Sequence, residues 1–189
     1  FHFEGCDFYT KVWVNGKLAG SHKGGYARFT FDVTELLIPG ENRITVMAED
    51  SYEIRQPRGK QRWRKENFGC WYVQTTGIWK TVWLEEVPKL YISGLKITPL
   101  LREQAVEIDW EIEGDLEALL EDGQKVFLNL EASFQGRNIS GVKASVSRTH
   151  GRTRLNVFCD QEDFGEWGIL EWKPEEPNLY DLDCTLESG

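Results

Sequence analysis

Residues 8–14, FYTKVWV, followed by Asn15-Gly16, decide the fold class. Phe8, Thr10, Val12 and Val14 fall on one side of an extended chain, and Tyr9, Lys11 and Trp13 on the other. A period of two marks a strand with one face packed. Asn-Gly supplies the two positive-φ positions of a tight hairpin turn, so a second strand is expected to return beside the first.

The same period recurs along the chain. In 27–33 (ARFTFDV), Ala27, Phe29, Phe31 and Val33 share a face. After the turn Pro39-Gly40-Glu41-Asn42, residues 43–48 (RITVMA) place Ile44, Val46 and Ala48 together. Across 78–87, Ile78, Val82 and Leu84 oppose Trp79, Thr81 and Trp83, the pattern of one strand covered on both faces. Pro88 closes this run. In 106–113 (VEIDWEIE), Val106, Ile108, Trp110 and Ile112 alternate with Glu107, Asp109, Glu111 and Glu113. Alternate side chains project in parallel and do not converge on an ion, so these carboxylates read as a solvated wall rather than a calcium site.

Residues 126–134 (VFLNLEASF) repeat the alternation, and weaker strands follow at 142–147, 153–159 and 179–186. The helical candidate is 115–122 (DLEALLED), ended by Gly123. Trp13, Trp79, Trp83 and Trp110 lie on strands and are assigned to the core. Short strands at intervals of roughly 8–12 residues with Gly, Pro and Asn turns predict an all-β protein of two consecutive β-sandwiches, 1–88 and 89–189. Five or six strands in 1–88 fall short of an eight-stranded jelly roll. Phe1 already reads as strand, so the N-terminal strands of that sandwich are expected to be missing and the chain to begin inside a larger protein.

Composition fits two folded domains. The chain has 189 residues, 40% hydrophobic and 28% charged. No apolar run of about 18 residues is present, which excludes a transmembrane helix, and no membrane partner is expected. No basic segment leads into an apolar one, so no signal peptide is visible. The net charge of −9 is unevenly divided, +1 over residues 1–88 and −10 over residues 89–189. An acidic body repels phosphate backbones, so a nucleic-acid partner is not expected. Cys6, Cys70, Cys159 and Cys184 form no CxxC pair, and His2, His22 and His150 are scattered, so no metal site and no cofactor are assigned. The cysteines read as buried or half-buried free thiols of a reducing compartment, with a Cys6–Cys70 or Cys159–Cys184 bridge left open.

Residues 55–79 (RQPRGKQRWRKENFGCWYVQTTGIW) form the longest stretch without clean alternation. Long loops in compact domains usually carry function. This one holds six basic residues from Arg55 to Lys65, together with Trp63, Phe68, Trp71 and Tyr72. Aromatic faces stack on the apolar face of a pyranose while Arg, Lys, Gln and Asn bond to hydroxyls. The same residue types also bind single-stranded nucleic acid, which the acidic body disfavours.

The segment FEGCDFYTKVWVNGKLAGSHKGGYARFTFDVT (residues 3–34) resembles the sugar-binding jelly-roll domain of glycoside hydrolase family 2, the β-galactosidase and β-glucuronidase family. The matching elements are Phe3-Glu4-Gly5, Asp7, Val12-Trp13-Val14-Asn15-Gly16, Gly20, His22, Gly24-Gly25-Tyr26 and Phe29 through Thr34. Residues 56–61 (QPRGKQ), Trp71-Tyr72 and Thr76-Gly77-Ile78-Trp79 are similar to that domain's closing loop and strand. Residues 89–189 resemble the family's immunoglobulin-like domain, most clearly in Trp172-Lys173-Pro174 and Pro177-Asn178-Leu179-Tyr180. Arg28 departs from the family, standing where Pro is common.

The resemblance implies retaining hydrolysis of a β-glycosidic bond by two Glu residues on a TIM barrel that follows the immunoglobulin-like domain, held about 5–5.5 Å apart. The acid/base Glu follows Asn in the family, and no Asn-Glu dipeptide occurs in this chain. A barrel needs about 250 residues with alternating helices, which this chain lacks. No catalytic residue is therefore assigned. Asp160, Glu162, Asp163 and Glu166 read as a solvated loop, and Asp50 and Glu53 near the long loop receive no role.

By the same resemblance, residues 69–76 lie near the wall of the parent enzyme's active site. Trp71 is the candidate stacking platform, with Tyr72 and Gln74 as hydroxyl partners. The implied partners are a carbohydrate, bound through the parent enzyme, and the missing C-terminal TIM barrel. A homo-oligomer is left open. A stand-alone carbohydrate-binding module and a structural or oligomerisation spacer are the competing readings.

Overall fold

The computed structural model describes residues 1–157 and 168–189. They divide into two units, Phe1–Glu86 and Val87–Gly189. In the first unit the chain runs through β1 (His2–Phe3), β2 (Cys6–Asp7), β3 (Tyr9–Val14), β4 (Lys17–Lys23), β5 (Phe29–Thr30), β6 (Ile44–Glu49), β7 (Gly77–Ile78) and β8 (Val82–Trp83). These form sheets ordered β4-β3-β6, β5-β1-β8 and β2-β7.

The hairpin expected at Asn15-Gly16 forms, with φ of 52° and 80° at the two residues. Asn15 also acts at long range. Its Nδ2 donates to the Leu36 carbonyl at 2.9 Å and to Asn42 Oδ1 at 2.8 Å, and its Oδ1 accepts from Arg43 N. The turn is thereby fastened to the chain entering β6. Along β3 the inward side chains Thr10, Val12 and Val14 are fully buried, as the alternation requires. The core of this unit gathers Phe3, Cys6, Val12 and Phe29, with Phe31, Val46, Ala48 and Val82 packed against it. Phe3 and Phe29 stack with centroids 4.8 Å apart.

Three expectations are corrected here. Residues 78–87 are not one strand covered on both faces. β7 pairs with β2 and β8 pairs with β1, so the chain changes sheets at Trp79–Thr81. Trp79 is not core. It is 51% exposed, and its indole N–H donates to the Gly25 carbonyl at 2.7 Å. Serving that carbonyl holds the ring at the surface, where Lys80 Nζ lies 4.9 Å from its centroid. Residues 27–33 contribute a ladder of two residues, and Ala27 and Ile44 are exposed instead of inward.

The second unit contains β9 (Leu90–Leu100), β10 (Ala105–Gly114), α1 (Leu116–Glu121), β11 (Val126–Phe134), β12 (Arg137–Val146), β13 (His150–Asn156) and β14 (Tyr180–Ser188). Two antiparallel sheets, β13-β10-β9 and β12-β11-β14, share one core. Ile108, Trp110 and Ile112 enter it from β10, and Val126, Leu128, Leu130 and Ala132 from β11. This is the sandwich expected from 106–113 and 126–134. The buried Trp110 indole N–H finds Thr153 Oγ1 at 3.0 Å, and Gly151 leaves room for the ring. α1 matches the helical candidate and buries Leu116.

The outer acidic face of β10 is not bare. Arg152 on β13 donates to Asp109 at 2.6 Å and lies 3.1 Å from Glu107, which holds the Asp109 carboxyl below its ordinary range. Strand β9 has no counterpart among the expected strands. The weak strand expected at 153–159 is formed as far as Asn156, and Phe158, Cys159 and the acidic loop at 160–166 lie outside the described residues. Cys6, Cys70 and Cys184 are free thiols, which removes the Cys6–Cys70 bridge, and Cys70 is exposed.

Candidate functional site

Between β6 and β7 the chain makes a long irregular excursion over residues 50–76. Arg58 organises it. This residue is 6% exposed, and its guanidinium donates to the carbonyls of Ser51, Glu53 and Arg62. A buried cation is tolerated when its donors are filled, and here it closes the first turns of the loop on themselves. Further along, Arg62 N donates to the Tyr72 carbonyl at 2.8 Å and Tyr72 N to the Lys60 carbonyl at 2.9 Å. The two arms of the loop therefore lie side by side.

Gln61 sits in that crossing. Its Oε1 accepts from Thr75 N at 2.7 Å, and its Nε2 donates to Asp7 Oδ2 at 3.0 Å. Asp7 ends β2 and is 5% exposed. Its second oxygen, Oδ1, is buried without a hydrogen-bond partner. Burial pushes the Asp7 carboxyl above its ordinary range. The Gln61 bond opposes that shift, Asp50 adds to it and Arg58 opposes it. Gly25 makes the close packing possible, since a Cβ there would stand 2.5 Å from Oδ1.

Asp50 is the second polar centre. It accepts from Gln56 Nε2, from Gln74 Nε2 at 2.5 Å and from Ser51 N at 2.7 Å. Beside it lies an open depression of about 250 Å³ lined by Phe8, Tyr9, Lys23, Asp50, Glu53 and Gln56. A floor of carboxylates and amides beside aromatic rings can accept and donate to hydroxyl groups. Among the described residues, no three His, Cys, Asp or Glu side chains group as metal ligands would.

The residues assigned from sequence are placed apart on one arm of the loop. Trp71 is half-buried and packs edge-on to Trp63, with centroids 4.6 Å apart, and beside Phe68. Tyr72 is 65% exposed, held by its backbone. Gln74 bonds to Asp50 and to the Ser51 carbonyl. None of the three lines the depression. Asp7, Arg58 and Gln61 were not singled out as site residues. Their visible signal is the family resemblance, which includes Asp7 and residues 56–61 (QPRGKQ) but gives them no role in a site.

The family model described as "Glycosyl hydrolases family 2, sugar binding domain" matches residues 1–88. A putative β-glucuronidase of Formosa agariphila is 32% identical over 190 residues, covering 98% of this chain and 20% of that protein. The chain belongs to glycoside hydrolase family 2. A β-galactosidase of Thermoanaerobacter pseudethanolicus is 26% identical, across 98% of this chain and 23% of its own length. This family 2 chain thus spans about a fifth of the length of the curated relatives it matches. Among solved structures, a Bacteroides uniformis β-glucuronidase superposes with a TM-score of 0.71 at 20% identity, over 98% of this chain and 21% of the other. That likeness establishes the shared fold.

Proposed function

We propose that this chain is the non-catalytic sugar-facing region of a family 2 retaining β-glycosidase, with the loop 50–76 forming part of the substrate wall. Hydrolysis is carried out by a carboxylate pair on a barrel outside these 189 residues. The observation that carries the reading is the match of residues 1–88 to the family's sugar binding domain, within which the Asp7–Gln61 bond braces the loop. Gln61 and the Asp50–Gln74 bond fix the loop's two arms, and Tyr72 is an exposed ring on the returning arm.

The chain alone turns over no aryl β-galactoside or β-glucuronide. In the glycosidase that carries this region, Tyr72→Ala raises KM several-fold with little change in kcat, the pattern of lost uniform binding. Hydrolysis by the isolated chain, or unchanged kinetics in the Tyr72 variant, contradicts the reading.

A further inference from the structure

We propose that residues 62–68, the tip of the long loop, dock on the acidic outer face of the β12-β11-β14 sheet in a second copy of this chain. The inference goes beyond the sugar-facing reading and uses other residues of the loop than Gln61, Tyr72 and Gln74.

The tip is a cationic and aromatic knob. Its arms are joined where Arg62 N donates to the Tyr72 carbonyl at 2.8 Å. Within it the Arg62 guanidinium donates to Asn67 Oδ1. Trp63 and Phe68 meet edge to face with centroids 5.0 Å apart, and neither ring belongs to the core of the first unit. Arg64 lies 4.8 Å over the Phe68 ring, and residues 64–67 are exposed. Among the described residues, no carboxylate lies within ion-pair distance of Arg62, Arg64 or Lys65. Elsewhere Arg28, Arg55, Arg152 and Arg154 all face acids. Tryptophan and arginine are the residue types that anchor protein interfaces, since each buries a large area and still offers donors.

The complementary surface lies on the second unit. Leu182, Cys184 and Leu186 of β14 pack against its core, so Asp181 and Asp183 project from the outer face, where both are exposed. On β11 the same alternation turns Glu131 outward between the buried Leu130 and Ala132. Glu131 stands directly opposite Asp183 in the ladder, and Asp181 stands opposite Ser133. Like charges opposite one another on a sheet face repel, and a cation set between them relieves that repulsion. Among the described residues, none lies within ion-pair distance of the three acids. Lys143, on the same face, is already paired with Glu187 at 2.7 Å. The charge of the chain divides in the same sense, +1 over residues 1–88 and −10 over residues 89–189. Opposed patches of this kind steer two proteins together and fix their register.

The test measures the mass of the 189-residue chain by sedimentation over a concentration series, at about 0.1 M salt, where the screening length is about 10 Å, and at about 1 M, where it is about 3 Å. At the lower salt the mass rises with concentration above that of one chain. At the higher salt association weakens about tenfold, the combined effect of a few exposed ion pairs. A chain carrying Arg64→Glu and Lys65→Glu stays monomeric, and so does one carrying Asp181→Lys and Asp183→Lys, because like charge then meets like. Mixed in equal amounts the two associate again, since the cationic tip of each second chain finds the acidic face of a first, and the reversed pair matches too. The milder Arg64→Gln, Lys65→Gln chain, altered in exposed positions alone, associates several-fold more weakly than wild type. A single-chain mass at every concentration, association unchanged in the variants, or a mixture that stays monomeric overturns the proposal. Each of these outcomes leaves the sugar-facing reading standing, and the Tyr72 kinetics decide that reading separately.

Discussion

Gln61 donates from Nε2 to the Oδ2 of Asp7 at 3.0 Å, a bond that spans 54 residues of chain. It joins the long loop to the end of β2 and leaves the other oxygen of Asp7 buried and free. The candidate site depends on this junction, because the same glutamine also fixes Thr75 on the returning arm.

Asp7 makes the first unit pH-sensitive. Burial raises its pKa, so the native state holds the proton more tightly than the unfolded chain. Its stabilising contribution is full below the ordinary carboxylate pKa and is lost as pH rises through the raised native value. Asp7→Asn removes that loss, so its melting temperature falls less than wild type between acid and neutral pH. Parallel curves for the two proteins count against the buried carboxylate. Gly25→Ala, which drives a Cβ to 2.5 Å from Oδ1, displaces the carboxylate and weakens its bond to Gln61.

Arg58 holds the loop together from within. Arg58→Ala leaves the carbonyls of Ser51, Glu53 and Arg62 without their shared donor. The expected cost is about 1.5–3 kcal/mol, the typical worth of a hydrogen bond to a charged group. Limited proteolysis should then cut between Lys60 and Lys65 at a much higher rate. A cleavage rate equal to wild type contradicts the role given to Arg58.

Leu128 is fully buried between the two sheets of the second unit. Leu128→Ala opens a cavity there and should cost about 2–5 kcal/mol in chemical denaturation. Phe3→Ala in the first unit, which removes a ring stacked on Phe29, should cost roughly 3–5 kcal/mol. A loss below 1 kcal/mol at either position would mean that these cores are misdrawn.

The strands that were legible carry strict alternation. Tyr9–Val14 and Val126–Phe134 bury every second side chain, as does β10 from Ile108 to Ile112, and a period of two survives any change in the partner strand. Leu90–Leu100 escaped because its phase is broken. The ladder shifts register opposite Glu111 and Ile112, and Pro99 discourages a strand assignment, although β9 is an edge where proline is tolerated. Residues 78–87 failed for another reason. Apolar side chains fall on both sides of the segment, but the backbone leaves one sheet for another at Trp79, which no local pattern announces.

Of the candidate site, the loop as an irregular segment was legible from its lack of alternation. Asp7 was not, because its burial is made by Gly25 and Gln61, which lie 18 and 54 residues away. Gln74 was assigned a hydroxyl, but the structure gives its amide to Asp50, a partner 24 residues distant.

The most direct measurement is a chemical-shift titration of the labelled chain with galactose, glucuronate, mannose and glucose. The account predicts shifts concentrated at the Gln61 side-chain amide, the Trp71 indole and Tyr72, with those of the second unit unmoved. An absence of shifts at these groups at high millimolar sugar would contradict the claim that the loop above Asp7 faces sugar.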